Sequence, residues 1–215
     1  MIISPGRGYI FVHIPKTGGT SLALALEARA MKDDILIGDT PKAIRRRGRL
    51  KGVRARGRLW KHSTLADIDG LIAPEALADL FAFTLVRNPW DRAVSYYHWL
   101  RVQGFDHPAV HLARRVGFEA FVTDPQTLAA FQATPAASYM RRVDGEEQCA
   151  AYVRLEHLEA DLAPVTAHLG FALNLSRANR SDRAADYRDY YSDRAAEMLG
   201  AACASDIARF GYRFD

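Results

Sequence analysis

The chain has 215 residues, 49% hydrophobic and 25% charged, with a formal net charge of +4. A length of this order favours one domain with a sizeable core, burying roughly 70% of the unfolded chain's surface. The composition excludes a disordered chain, and no run approaches the ~18 apolar residues of a membrane-spanning helix. The cysteines, Cys149 and Cys203, form no CxxC and no cluster with histidines, so neither a disulfide framework nor a zinc site is expected. The first residues lack the basic-then-apolar pattern of a signal peptide, which points to the cytoplasm.

"GYIFVHI" (Gly8–Ile14) is a short β-rich apolar run. A glycine turn separates it from "TSLALALEARAM", which is apolar at helical spacing (Leu22, Leu26, Ala30). The unit predicts strand, loop, helix. "DDILIGD" suggests a second short strand. The basic stretch that follows (42–61) reads as loop, turning into strand around Leu59–Trp60, with a helical turn from Thr64. "APEALADLFAFTLVRNP" predicts a helix and then a strong strand, Phe81–Val86, with Asn88 capping and Pro89 opening a helix that stops near Gly104. Residues 104–150 read as irregular, with turn signals at Asp106-His107-Pro108, Asp124-Pro125 and Asp144-Gly145. "AAYVRLE" predicts a fourth strand, "HLEADLAPVTAHLG" a helix closed by Gly170, and "SDRAAEMLGAACASDIARFGY" a last amphipathic helix. Strands alternating with helices predict an α/β domain whose parallel sheet is covered on both faces, with ligands at the carboxyl ends of the strands.

In "FVHIPKTGGTS" the first loop carries Lys16 ahead of Gly18 and Gly19, the reverse of the GxxxxGK[ST] order of a nucleoside triphosphatase. The physics is shared: glycine allows close backbone approach, and the N–H groups opening a helix favour an anion. Thr20 and Ser21 add hydroxyl donors. No strand ends in a clear magnesium-binding aspartate, so a metal-free anion loop is the better inference. The plainer alternative is a tight turn whose glycines serve packing only. In "LVRNPWDRAVSYYHW", Arg87 ends a strand and Ser95 lies eight residues on, inside a helix. Its guanidinium offers a planar fork to a phosphate, or else an ion pair to Asp91.

Together "IPKTGGTS" and "LVRNPWDRAVSYYHW" resemble the two nucleotide motifs of the sulfotransferases that use 3′-phosphoadenosine 5′-phosphosulfate (PAPS), in the form of the carbohydrate (family-2) branch. "YVRLEHLEADL" and "DIARFGYRF" also resemble that branch, while 32–58 and 104–150 match least. The resemblance implies a P-loop-like three-layer α/β sandwich spanning 1–215 as a single domain, with a central parallel sheet flanked by helices. It assigns Lys16, Thr17, Gly18, Gly19, Thr20 and Ser21 to the 5′-phosphosulfate, and Arg87 and Ser95 to the 3′-phosphate. It also implies PAPS as co-substrate, adenosine 3′,5′-bisphosphate as product, no metal, and a hydroxylated acceptor such as a carbohydrate or anionic glycan. With no membrane anchor, it suggests a bacterial cytoplasmic enzyme, without membrane insertion or a specific nucleic-acid partner.

Sulfuryl transfer needs positioning, charge stabilisation and a base. Lys16 is placed to balance charge on the departing phosphate. His62, in "RLWKHSTL", resembles the catalytic histidine segment of cytosolic sulfotransferases, though the threonine between Lys and His is absent. Some heparan-type relatives use a glutamate of the first helix, but Ala25 stands there and Glu27 is offset by two. His13 reads as a bracing residue, and His98, His107 and His111 are weaker candidates. Nine basic residues from Arg45 to Lys61, with no acid between, suit recruitment of an anionic acceptor, nonspecific nucleic-acid binding, or merely a solvated loop. In the late polar segment Arg177, Arg180 and Arg183 are candidates to close over the nucleotide, with Arg180 chosen; surface ion pairs are the alternative. Two readings compete with a sulfotransferase: a small-molecule kinase on a P-loop scaffold, and a polyanion-binding module using Arg45–Arg58.

Overall fold

The structure, a computed structural model, describes residues 1–175 and 184–214. In chain order the strands are β1 (Ile2–Ser4), β2 (Tyr9–Val12), β3 (Ile35–Leu36), β4 (Phe81–Val86) and β5 (Ala151–Arg154). The first seven helices are α1 (Gly19–Ala28), α2 (Pro41–Arg46), α3 (Pro74–Ala78), α4 (Pro89–Arg101), α5 (Pro108–Arg115), α6 (Phe118–Val122) and α7 (Pro125–Ala133). Then come α8 (Ala136–Tyr139), α9 (Leu158–Asp161), α10 (Ala163–Leu169), α11 (Asp193–Ala202) and α12 (Ala204–Phe210). These elements group into two compact units, Met1–Val86 with Ala136–Ala178, and Arg87–Pro135 with Asn179–Asp215.

The first unit holds the whole sheet, ordered β3-β1-β2-β4-β5. β2, β4 and β5 are parallel, in register at Phe11 with Phe83 and Phe83 with Ala151. β1 runs antiparallel to both β2 and β3, so the sheet is mixed rather than all-parallel as expected. The departure is local: Pro5–Arg7 forms a single tight turn, and Gly8 at φ +64° reverses the chain so that Ser4 faces Tyr9. A β1 of three residues leaves little alternation to read from sequence. Tyr9, Phe11, Phe83, Leu85, Ala151 and Val153 pack with Leu22 and Leu26 of α1 and with Val165 and Leu169 of α10. The alternate residues Ile10, Val12, Ala82 and Thr84 are buried too, as in a sheet covered on both faces. Each fully buried Phe or Leu here contributes roughly 1.5–3 kcal/mol.

The basic stretch forms no strand at Leu59–Trp60. It opens as α2, whose first turn is capped by the Thr40 hydroxyl accepting from Ala43 N, and tightens through Arg47–Leu50. Farther on, Arg56 N and Gly57 N donate to the Asp69 and Asp67 carbonyls (both 2.9 Å), which pins the chain to a turn instead of a sheet edge.

The second unit is helical. Asn88 Oδ1 accepts from Trp90 N and Asp91 N, and Pro89 opens α4, as the sequence predicts. Trp90, Val94, Tyr97 and Leu100 of α4 pack with Phe118, Phe121, Phe131, Ala195 and Leu199. The region expected to be irregular, 104–150, contains α5 to α7 in this unit and α8 in the first. Its supposed turn signals are helix starts: His107 caps α5 and Asp124 caps α7, each followed by proline at the first helical position. Asp144-Gly145 is a true turn, with Gly145 at φ +87° and Gly145 N donating to Arg142 O. The final amphipathic stretch is two helices, interrupted at Cys203.

Candidate functional site

The loop after β2 lies at the carboxyl end of that strand, beside the end of β4 in the parallel pair. Gly19 opens α1, so the helix begins within the motif. Lys16 sits at φ +66°, the non-glycine residue in the left-handed region among those described. Such a conformation costs a side-chain-bearing residue roughly 1–2 kcal/mol, and strain of this kind concentrates where a loop shapes a ligand site. Thr17 is buried, and its hydroxyl donates to Ile14 O (2.9 Å), bracing the loop from below. Gly18 has φ +83°, and a Cβ there would stand 3.0 Å from Leu155 Cδ1. Thr20 is half-buried, and Ser21 N donates to Gly18 O (3.2 Å).

Gly19 is required for a different reason. A Cβ on it would fall 2.3 Å from His13 Cδ2. His13, the residue after β2, therefore lies flat against the first residue of α1. Its other neighbours are Phe11 (5.9 Å between ring centroids) and His62 (4.7 Å, edge-to-face). His62 Nδ1 lies 2.7 Å from the His13 carbonyl oxygen. A carbonyl only accepts, so Nδ1 carries the proton and Nε2 the lone pair. Burial lowers the His62 pKa to about 4; the bond to His13 opposes this and the Lys61 charge adds to it. Burial likewise holds His13 well below the ordinary histidine value, with His62 and Lys61 contributing. Both imidazoles are neutral at pH 7, and His62 presents a lone pair at Nε2.

The segment carrying His62 is locked by a residue the sequence reading missed. Ser63 is fully buried; its hydroxyl accepts from Trp60 N and lies 2.9 Å from the Arg58 and Trp60 carbonyls. Trp60 is 44% exposed and meets His62 edge-on at 5.0 Å. The signal was the W-x-x-S spacing, in which a serine hydroxyl closes a turn three residues back. Lys61 Nζ pairs with Asp39 Oδ2 at 2.6 Å.

Beside these groups a small cavity of about 10 Å³, room for one water, is lined by His13, Thr20, Glu27, Asp39, Thr40 and Lys61 among others. Glu27 is buried, accepts from the Thr40 hydroxyl (2.6 Å), and has its carbonyl engaged by Lys42 Nζ. Burial raises its pKa, against the Thr40 bond. It is thus a tied structural carboxylate lining the cavity that Thr20 and His13 also reach.

In the second unit Arg87 directly follows β4, and its Nε and Nη2 donate to Asp91 Oδ2 (2.8 and 2.6 Å). This is the ion pair the sequence offered as the alternative use of Arg87. It fixes the guanidinium plane at the start of α4. Ser95 lies buried on α4. His107 caps α5 and His111 pairs with Asp106 at 2.6 Å, so both serve the exposed start of that helix. His98 packs edge-on to Tyr97 and Tyr190. Arg177, Arg180 and Arg183 lie outside the described residues. Among the described residues no group of three or more His, Cys, Asp or Glu is arranged to hold a metal ion, and no helix is long and apolar enough to cross a membrane.

No known protein-family profile matches the chain, and no curated protein does. Solved structures do: one is the crystal structure of mouse sulfotransferase SULT7A1 complexed with PAP, 19% identical, with a TM-score of 0.50. The match covers 94% of this chain and 84% of that one. The chain therefore has the sulfotransferase fold, an α/β architecture with a five-stranded mixed sheet flanked by helices.

Proposed function

We propose that the chain is a PAPS-dependent sulfotransferase that moves a sulfuryl group to an acceptor hydroxyl, on a carbohydrate or another polar compound. The observation that carries this reading is the direct packing of His13 on Gly19, with His62 bonded to the His13 carbonyl. It joins a residue with a free lone pair to the glycine turn expected to hold the phosphosulfate. PAPS supplies the activated sulfuryl group; the residues at hand fit its anionic end, since the loop combines a helix start, two glycines and the left-handed Lys16.

In this reading His62 Nε2 takes the proton of the acceptor hydroxyl while its oxygen bonds to sulfur. The bond from sulfur to the phosphate oxygen breaks in the same displacement, and Lys16 balances the charge left there. A base of this kind contributes about 10²–10⁴-fold. The backbone of Thr17–Ser21 and the hydroxyls of Thr20 and Ser21 hold the 5′-group. Arg87 and Ser95 hold the 3′-phosphate, and Arg180 is a further candidate. The whole of 1–215 acts as one enzyme, with no metal.

Calorimetric titration with adenosine 3′,5′-bisphosphate in chelator tests the reading. Sub-millimolar affinity, lost in Arg87→Ala, supports it, and labelled PAPS then reports transfer to acceptors. Binding of ATP with Mg²⁺ while the bisphosphate is ignored refutes it in favour of a kinase.

A further inference from the structure

The nine cations between Arg45 and Lys61 are not equivalent in the folded chain. Arg46 and Arg49 are spent on backbone carbonyls, Arg46 on Met31 and Asp34, Arg49 on Lys32. Lys61 is paired with Asp39. Farther along, exposure alternates strictly: Arg54, Arg56, Arg58 and Trp60 are exposed, while Ala55, Gly57 and Leu59 are half-buried. Arg56 N and Gly57 N pin this stretch to the Asp67 and Asp69 carbonyls, and Gly57 fits so closely that a Cβ would stand 2.1 Å from Asp67 Oδ1. Its far end is fixed by Ser63, which bonds to Arg58 O and Trp60 N. Among the described residues Arg54, Arg56 and Arg58 form no ion pair; Arg58 instead lies over the Trp60 ring, 5.8 Å from its centroid. The row is therefore a pinned edge of three un-neutralised guanidiniums that ends on an exposed indole, and that indole touches His62.

We infer that Arg54, Arg56, Arg58 and Trp60 form the acceptor-selecting edge of the site, recognising a hydroxylated polyanion whose ring lies on Trp60 while its charges lie along the arginines. The inference rests on the sulfotransferase reading for the hydroxyl at His62, but the edge is a binding site by its own geometry. Un-neutralised like charges held on one edge raise the local potential, and an incoming anion lowers it. Guanidinium forks suit carboxylate, sulfate and phosphate alike. Carbohydrate is favoured over nucleic acid because the edge offers one aromatic platform, whereas single-strand binding interleaves several with the cations. Arg45 and Arg47, exposed on the helical part of the run, lie before the alternating segment and outside this edge.

The test compares oligogalacturonate, which carries a carboxylate and hydroxyls on every sugar, with a neutral maltooligosaccharide of equal length. Wild type, Arg54→Ala/Arg56→Ala/Arg58→Ala and the control Arg45→Ala/Arg47→Ala are measured for transfer from labelled PAPS and, separately, for direct binding of each sugar without nucleotide. Exposed ion pairs are each worth roughly two- to fivefold. The triple variant should therefore lose about tenfold or more in preference for oligogalacturonate, while the control changes it less than about twofold. Affinity for adenosine 3′,5′-bisphosphate and the melting temperature report folding and the nucleotide site independently. If no transfer occurs to either sugar, the binding arm still decides the edge, and bisphosphate affinity decides the sulfotransferase reading. Equal loss in both arginine variants, or no preference for the polyanion in wild type, overturns the inference. So does displacement of oligogalacturonate by duplex DNA at matched charge, with tighter affinity for the DNA.

Discussion

The unusual basicity of His62 gives the sharpest prediction. An ordinary histidine with a pKa near ~6.5 goes from mostly neutral at pH 7 to about one-tenth neutral at pH 5.5, about an eightfold loss of active base. Burial takes His62 to about 4, which leaves it nearly all neutral at pH 5.5. The assay is kcat at saturating PAPS, so that protonation of the nucleotide's phosphates does not enter through binding. Expected is a plateau from pH 7 to 5.5, within about a factor of 1.5, and an acid limb only as pH falls toward 4. Stability moves in the same range. The unfolded chain takes a proton on this residue below pH ~6.5 that the folded chain refuses until about 4. Stability is therefore full above ~6.5 and falls as pH drops through that window, by up to about 3 kcal/mol at 1.36 kcal/mol per unit. Buried His13 acts in the same direction. An acid limb centred near 6.5, absent in His62→Ala, would refute the idea that burial, with the Lys61 charge, holds this base neutral against the bond to His13.

Four further outcomes follow from named contacts. Gly19→Ala forces the His13 ring off α1; overpacking of about 1–3 kcal/mol exceeds the ~1 kcal/mol that alanine gains in a helix, so denaturant midpoints should fall and kcat with them. Thr40→Ala removes both the α2 cap and the donor to buried Glu27, and should lose about 2–4 kcal/mol in urea titrations. Glu27→Gln keeps a partner for Thr40 while removing a charge that burial disfavours, so at pH 7 it should be no less stable than wild type. Arg87→Lys retains the charge but not the fork on Asp91, and calorimetry should show weakened bisphosphate binding by about tenfold.

The strands that position the loop were legible because their sequences leave few options. "FAFTLV" is a run of apolar and β-branched residues, and β4 occupies it from end to end. Pro89 and Asn88 announced α4 through capping chemistry that is local. The same chemistry was misread at Asp124-Pro125 and His107-Pro108, since a cap followed by proline starts a helix as readily as it turns a loop. β1 was hidden by its brevity and by a partner that lies after the turn. The glycines of the loop were legible as glycines, but not their reasons: Gly19 answers to His13 and Gly18 to Leu155, a residue far along the chain. His62 was found by resemblance, whereas its tautomer depends on the His13 carbonyl and its low basicity on burial, both of which only the folded chain supplies.

The pairing of β4 with β5 joins Phe83 to Ala151 across the stretch that forms α4 to α8. During synthesis β4 therefore emerges well before its outer neighbour exists. Until residue 151 follows, one edge of "FAFTLV" carries unsatisfied backbone groups on an uncharged segment of high β-propensity, the kind that pairs with other chains. A nascent or proteolysed chain ending before β5 is thus the form of this protein most prone to aggregate. Its solubility depends on how quickly a distant four-residue strand arrives to close the sheet.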